Sequence, residues 1–403
     1  MRVYLDNNAT TRVDPLVRDE MMPFLDEEYG NPSSMHSFGA GVSRALDLAR
    51  SRVAALLGAE RESEIIFTSC ATESDNTAIW SALQAYPDRH EIITSAVEHP
   101  AILQLCSFLE ERGYVIHRVP VDSHGRLDLD FYASCLSDRV ALASVMWANN
   151  ETGTVFPVPE LARMAHEKGI LFHTDAVQGV GKLPICLKDT CIDMLSFSGH
   201  KIHAPKGVGA LYVRYGVRFR SFMKGGHQER GRRAGTENAA SIAALGRACE
   251  LASQGLNRMD TEIRRLRDRL EQGILSQVPR CFVTGDPENR TPNTSNIAFE
   301  FVEGEGILLK LDREGIAASS GSACTSGSLE PSHVMTAMKV PFTAAHGTVR
   351  FSLSRFTTQE EVDYVVSKVP GIIADLRSMS PYWKQAEEGA PAFDPEFRGT
   401  LGT

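Results

Sequence analysis

The stretch ILFHTDAVQGVGKLPICLKDTCIDMLSFSGHK, residues 170–201, decides the fold. It contains two short apolar runs, Ile170 to Thr174 and Ile192 to Phe197, each broken off by polar or turn-forming residues. Both read as strands. The first ends in Asp175-Ala176-Val177-Gln178 and the second in Ser198-Gly199-His200-Lys201. A carboxylate and a lysine amine thus reach the same sheet edge, where open α/β sheets hold their ligands.

Working outward, the same alternation of short β-rich runs and helical patterns extends from about residue 60 to 215. Further strands are expected at Glu64 to Thr68, Glu91 to Thr94, Tyr114 to Val119, Arg139 to Met146 and Gly207 to Val213. The fold class is therefore α/β: a seven-stranded, mainly parallel sheet with helices on both faces. Val42, Ala45, Leu46, Ala49, Val53, Leu56 and Leu57 share one face of a helix from Gly39 to Leu57, with Gly58 as its stop. A second helical pattern, about 256 to 277, carries an apolar stripe of Ile263, Leu266, Leu270 and Ile274 and reads as a linker helix leaving the sheet.

Beyond that helix the pattern changes to a strand at Asn296 to Phe301, a helix at 304 to 314, a Ser/Gly/Ala loop, a strand at Thr348 to Leu353 and a helix at 358 to 377. This reads as a smaller α+β domain. The expected division is 15–255 for the large domain and 1–14 with 256–380 for the small one, followed by a loosely held tail at 381–403.

With 42% hydrophobic and 23% charged residues in 403, the chain is of ordinary globular make-up, which excludes collagen-like and wholly disordered classes. Forty-two Lys and Arg against 51 Asp and Glu leave a net charge of -9, so nucleic acid is not an expected partner. No apolar run approaches the length of a membrane span, and MRVYLDNNATT lacks the apolar core of a secretory leader. The expectation is a cytoplasmic protein with no membrane partner. Eight cysteines, at 70, 106, 135, 186, 191, 249, 281 and 324, form no CxxC pair or framework spacing and read as reduced, mostly solitary thiols, seven of them with no feature that outweighs a packing role.

Several residues carry candidate chemistry, each with an ordinary alternative. Lys201 alone is a surface charge; desolvated at a strand end it is a nucleophile. Asp175 alone is a cap. Together they meet the needs of pyridoxal phosphate, a lysine for its imine and an acid for its ring nitrogen. Ser69-Cys70-Ala71-Thr72 enters a helix near Glu73 and offers an anion site, although Thr72 could simply cap that helix. His99 before Pro100 is a ring-stacking group or a structural histidine, and Asn149-Asn150-Glu151 is a turn or a polar contact. Cys324 stands alone in SSGSACTSGS (319–328), where nothing bulky buries it, and this favours a reactive thiol. Arg350 is suited to grip a carboxylate, whereas Arg355 reads as a solvent-facing strand residue. Arg232 to Asn238 is either a second anion site or an ordinary helix start.

These segments resemble the cysteine desulfurases among the fold type I, class V aminotransferase-like pyridoxal phosphate enzymes, specifically the nitrogen-fixation (NifS) type. The resemblance rests on LDNNATT (5–11), GNPSS (30–34), TSCATESDN (68–76), EHPA (98–101), NNETG (149–153), DAVQ (175–178), SGHK (198–201), RRAGTEN (232–238), SSGSACTSGSLEPSHVM (319–335) and RFSLSRF (350–356), and spans nearly the whole chain. Ala204 stands where many relatives carry Gly. The resemblance implies that Lys201 binds the cofactor covalently, Asp175 pairs its ring nitrogen, Gln178 meets the ring hydroxyl and His99 stacks on the ring. It implies that Thr72, Ser198 and His200 sit at the phosphate, joined by Thr236 from the second subunit of a homodimer, that Ala71 and Asn150 also contact the cofactor, and that Asn150 and Arg350 hold L-cysteine. Catalytic roles fall to Lys201, His99 and Cys324. Cys324 becomes a persulfide as alanine is released, and an iron–sulfur scaffold protein accepts the sulfur for nitrogenase maturation. No intrinsic metal is implied; Cys324 is at most a transient shared iron–sulfur ligand. A housekeeping desulfurase, a selenocysteine lyase and an aminotransferase share the same framework. A metal scaffold is disfavoured by the lack of clustered Cys and His, and a nucleotide module by the lack of GxGxxG after a strand.

Overall fold

In the computed structural model, residues 1–320 and 331–383 are described, so Cys324 and most of the 381–403 tail lie outside the described residues. The strands, in chain order, are β1 (Val3–Tyr4), β2 (Ile65–Thr68), β3 (Glu91–Ser95), β4 (Val115–Val119), β5 (Val140–Ser144), β6 (Leu171–Asp175), β7 (Met194–Ser198), β8 (Gly209–Val213), β9 (Cys281–Val283), β10 (Thr294–Phe299), β11 (Ile316–Ala317) and β12 (Thr348–Ser352). Seven of them form the main sheet in the order β2-β8-β7-β6-β5-β3-β4. The five strands from β7 to β4 run parallel; β8 is antiparallel to both β7 and β2.

Alternation of side chains across the pleat splits the strand residues between two apolar layers. Phe67, Ile93, Ala143, Phe172, Leu195 and Phe197 pack with helices Ser37–Leu57, Val158–Glu167 and Ala239–Arg258. Ile66, Ile92, Leu142, Leu171, Met194 and Leu211 face helices Ala71–Ala85 and Pro100–Glu110. With both faces covered, these strands are apolar throughout rather than alternating, which is why they stand out in the sequence.

A second core joins Val3 and Leu5 to Ile263, Leu266, Leu270 and Ile274, and to the three-stranded antiparallel sheet β12-β10-β9 and helix Gln359–Met379. The strand ends differ from the sequence reading by one or two residues at most positions. The larger difference is in the linker. It is not a separate helix over 256–277: helix Ala239–Arg258 runs through a π turn at Met259–Ile263 into helix Arg264–Leu275. The small residues of 239–252 hid its first half, because alanines packed between helices give little contrast with a polar face. Strands β1, β9 and β11, of two or three residues each, were too short to leave a pattern.

Candidate active site

The carboxyl ends of β6 and β7 are adjacent and parallel, so Asp175 and the Gly199–Lys201 turn emerge side by side. They open onto a cavity of about 510 Å³, within the range of roughly 300–1,000 Å³ usual for small-molecule sites. Ten residues singled out from the sequence line it: Ala71, Thr72, His99, Asn150, Asp175, Gln178, Ser198, His200, Lys201 and Arg350. Thr236 does not; it is exposed in the segment before Asn238. Cys324 lies outside the described residues.

One end of the cavity is the start of helix Ala71–Ala85, whose first turn supplies unpaired N–H groups and a positive dipole end. The cap of this helix is Cys70, not Thr72, which leaves Thr72 in the first turn and turned to the cavity. Gly209 of β8 makes this possible. A Cβ there would fall 2.7 Å from the Phe197 carbonyl oxygen and 3.0 Å from the Cys70 Cα.

Lys201 Nζ donates to the Asn8 and Ala9 carbonyls, both at 2.7 Å. Asp175 Oδ1 accepts the Val177 N–H at 2.9 Å. Burial pushes the Asp175 carboxyl up to about 6, while that N–H and the Lys201 charge oppose the rise. Asp75, also at the cavity wall, is pushed well up by burial and then by Asp175, and lies 3.6 Å from His173 Nε2. Glu98 is raised by burial to about 8. Carboxyls this close in a dry site do not all ionise. Asp175, favoured by a backbone N–H and by Lys201, is the one suited to remain a carboxylate.

His99 caps helix Pro100–Glu110, its Nδ1 accepting the Ala101 N–H at 3.1 Å. The neutral ring therefore carries its proton on Nε2. Burial, reinforced by Lys201 and His333, holds its imidazole down at about 4. Also on the cavity wall, Arg350 donates from Nη2 to Asp6 at 2.8 Å and from Nη1 to the Asn150 carbonyl at 2.9 Å, while its buried Nε has no partner among the described residues. Arg350, its guanidinium held by Asp6 and the Asn150 carbonyl on the wall of a ligand-sized cavity, suits a carboxylate-bearing substrate.

Both ends of the 321–330 segment are tied to this site. Ser319 pairs with Arg350 through backbone hydrogen bonds at 2.7 and 3.2 Å, and Ser319 and Ser320 line the cavity. On the far side Ser332 Oγ donates to Glu151 at 2.7 Å, and His333 Nε2 lies 2.9 Å from the Glu98 carbonyl.

Residues 3–365 match the family Aminotransferase class-V. The chain belongs to that family. It is 64% identical over 398 residues to "Cysteine desulfurase NifS" of Azotobacter vinelandii, covering 98% of this chain and 99% of that one. Within the class-V aminotransferases it is thus a cysteine desulfurase of the NifS type. It is 62% identical over 396 residues to "Cysteine desulfurase" of Gluconacetobacter diazotrophicus, again 98% and 99% of the two chains. Among solved structures, a "NIFS-LIKE PROTEIN" superposes with a TM-score of 0.88 at 39% identity, over 93% of this chain and 100% of that one. Another, "SspA in complex with cysteine", does so with a TM-score of 0.78 at 32% identity over 88% and 100%. Class-V enzymes of this type depend on pyridoxal phosphate. The cavity suits that group, with an anion-binding helix start, an acid and a lysine on adjacent strand ends, and His99 in the same wall.

The sequence reading missed Asp6, Asn8, Asp75, Ser319 and Ser320 as parts of the wall. Asn8 stands in the polar run of LDNNATT, which by itself does not say where in the fold that run lies. Arg355 is not solvent-facing: it pairs with Asp14 at 2.8 Å and is largely buried. Nor do the cysteines share one packing role, because Cys186 is exposed and Cys70 lines the cavity. Among the described residues no cluster of His, Cys, Asp or Glu could hold a metal, and no helix is long and apolar enough to cross a membrane.

Proposed function

We propose that the chain converts L-cysteine to L-alanine and keeps the sulfur as a persulfide on Cys324. The observation that carries the reading is the convergence of Lys201, Asp175, His99 and Arg350 on one cavity to which both ends of the Cys324 segment are anchored.

Pyridoxal phosphate bound at Lys201 supplies an electron sink that acidifies the Cα hydrogen of an amino acid. The chain does the rest. Asp175 holds a proton at the ring nitrogen, and Gln178 meets the ring oxygen. Thr72, Ser198, His200 and the Ala71 N–H bind the phosphate, with Thr236 reaching it from a second copy in a homodimer. Arg350 and Asn150 hold the substrate carboxylate. The Lys201 amine, displaced by substrate, takes the Cα proton. The Cys324 thiolate then attacks the substrate sulfur: an S–S bond forms, the C–S bond breaks, and its electron pair stays with the carbon skeleton. That skeleton is protonated, with His99 as the relay, and leaves as alanine. The segment around Cys324 carries the persulfide to an acceptor.

The NifS name of one relative supports a role in nitrogen fixation; in this reading the sulfur passes to an iron–sulfur scaffold for nitrogenase, in the cytoplasm. The two apolar cores support a division into a large domain, 15–255, and a small one, 1–14 with 256–380. Reduction with borohydride tests the cofactor anchor. Native protein should retain the cofactor covalently on the peptide containing Lys201, and Lys201→Ala should retain none. An adduct on another lysine would contradict the assignment.

A further inference from the structure

Lys182 follows Gln178 by one turn and is only 5% exposed. Among the described residues it makes no ion pair; the charges bearing on it are the cations Lys201 and Arg350, and burial with their repulsion pushes its amine well below the usual lysine range. An amine held in such a place is costly unless its hydrogens are used. They are used on two amides. Lys182 Nζ donates to Asn8 Oδ1 at 2.8 Å and to Gln178 Oε1.

The turn that brings the two side chains together is built for close packing. Gly179 and Val180 donate their N–H groups to the Ala176 carbonyl, both at 2.9 Å. A Cβ on Gly179 would press on the Trp147 ring at 3.0 Å. Gly181 has φ +73°, with Ile202 2.9 Å from where a Cβ would lie.

An amide can be turned end for end at little steric cost, so its orientation is set by its partners. Gln178 Nε2 donates to the Asn8 carbonyl at 3.1 Å, and Oε1 faces the amine. The second N–H of Nε2 remains for the cavity that Gln178 lines. Asn8 is fixed in the same way. Its Oδ1 accepts from Lys182 and from Asn293 at 3.1 Å, so its Nδ2 donates to Thr294 Oγ1 at 2.9 Å and to the Asn150 carbonyl at 3.2 Å. That carbonyl is also the one Arg350 holds.

We propose that Lys182 is a positioning residue for the cofactor: by donating to Gln178 Oε1 and Asn8 Oδ1 it turns the Gln178 amide so that an N–H, not the carbonyl, meets the ring oxygen of pyridoxal phosphate. The inference rests on the cofactor lying beside Gln178 and not on the sulfur chemistry. An N–H there stabilises the ring oxygen as an anion and lowers the proton affinity of the neighbouring nitrogen bonded to Lys201.

The test is the pH at which the absorbance of the bound cofactor changes between its protonated and unprotonated forms, read in the holoenzyme. Lys182→Met should raise that midpoint by about half a unit or more. Gln178→Ala should move it in the same direction, and the double variant should move no further than Gln178→Ala alone. An unmoved midpoint in Lys182→Met, or a full additional shift when Lys182→Met is combined with Gln178→Ala, would overturn the proposal. Lys182→Leu likewise carries no donor and is read in the same way should the Met variant fail to fold. Borohydride trapping on Lys201 in the same samples separates the two readings, since its absence in native protein would count against the cofactor site itself.

Discussion

Glu98 stands directly before His99, fully buried, with Oε1 accepting the Ser95 hydroxyl at 2.6 Å and the Met146 N–H at 2.8 Å. Burial raises its carboxyl to about 8 in the folded chain, against roughly 4 in an unfolded one. Between those values the folded chain holds a proton that the unfolded chain has lost, so this group's contribution to stability is full at low pH and declines as pH rises toward 8. Glu98→Gln keeps the acceptor and has no proton to lose. Unfolding of native protein and variant, followed between about pH 5 and 8, should therefore show a smaller decline for the variant; identical pH dependence would show that Glu98 is ionised in the folded state. Such a residue is invisible as an acid in the sequence, where it reads only as part of EHPA. Its character comes from full burial against Ser95 at the end of β3 and Met146 just beyond β5.

At the scale of elements, Gly209 shows how a sheet residue sets the geometry of a ligand site. It sits in β8 beneath the turn at Cys70, and the atoms crowding it are backbone, which cannot rotate away. Gly209→Ala should cost about 1–3 kcal/mol by overpacking and weaken cofactor binding as the Cys70–Thr72 turn is displaced. Thermal unfolding of the apoprotein and a cofactor titration check the two effects; unchanged affinity would mean the turn does not bind the phosphate. The strands were legible because a sheet covered on both faces writes continuous apolar runs, and Asp175 and Lys201 were legible because they follow those runs directly. Asn8 and Asp6 were not, because they reach the site from far away in sequence: Asn8 meets Lys182 and Lys201 across more than 170 residues. Asp75 was obscured by its helix, whose caps and polar face offer ordinary explanations for an acid.

At the scale of the whole molecule, the site gathers from both apolar cores. The main sheet gives Asp175 and Lys201, the second sheet gives Arg350 through β12, and the N-terminal segment lies between them with Asp6 and Asn8. Thr236, exposed and not part of its own chain's cavity wall, is proposed to act in a second copy. Sedimentation should accordingly give twice the chain mass for the holoenzyme, and Thr236→Ala should weaken cofactor binding; a fully loaded monomer would remove Thr236 from the site. The central claim, that the sulfur of L-cysteine passes to Cys324, is tested most directly by treating holoenzyme with L-cysteine in the absence of reductant and mapping the added sulfur by peptide mass spectrometry while alanine is counted. The account predicts one extra sulfur atom on the Cys324 peptide matched by alanine, and none when Cys324→Ala is treated alike. Alanine formed with the added sulfur on another cysteine, or with no added sulfur at all, would contradict it.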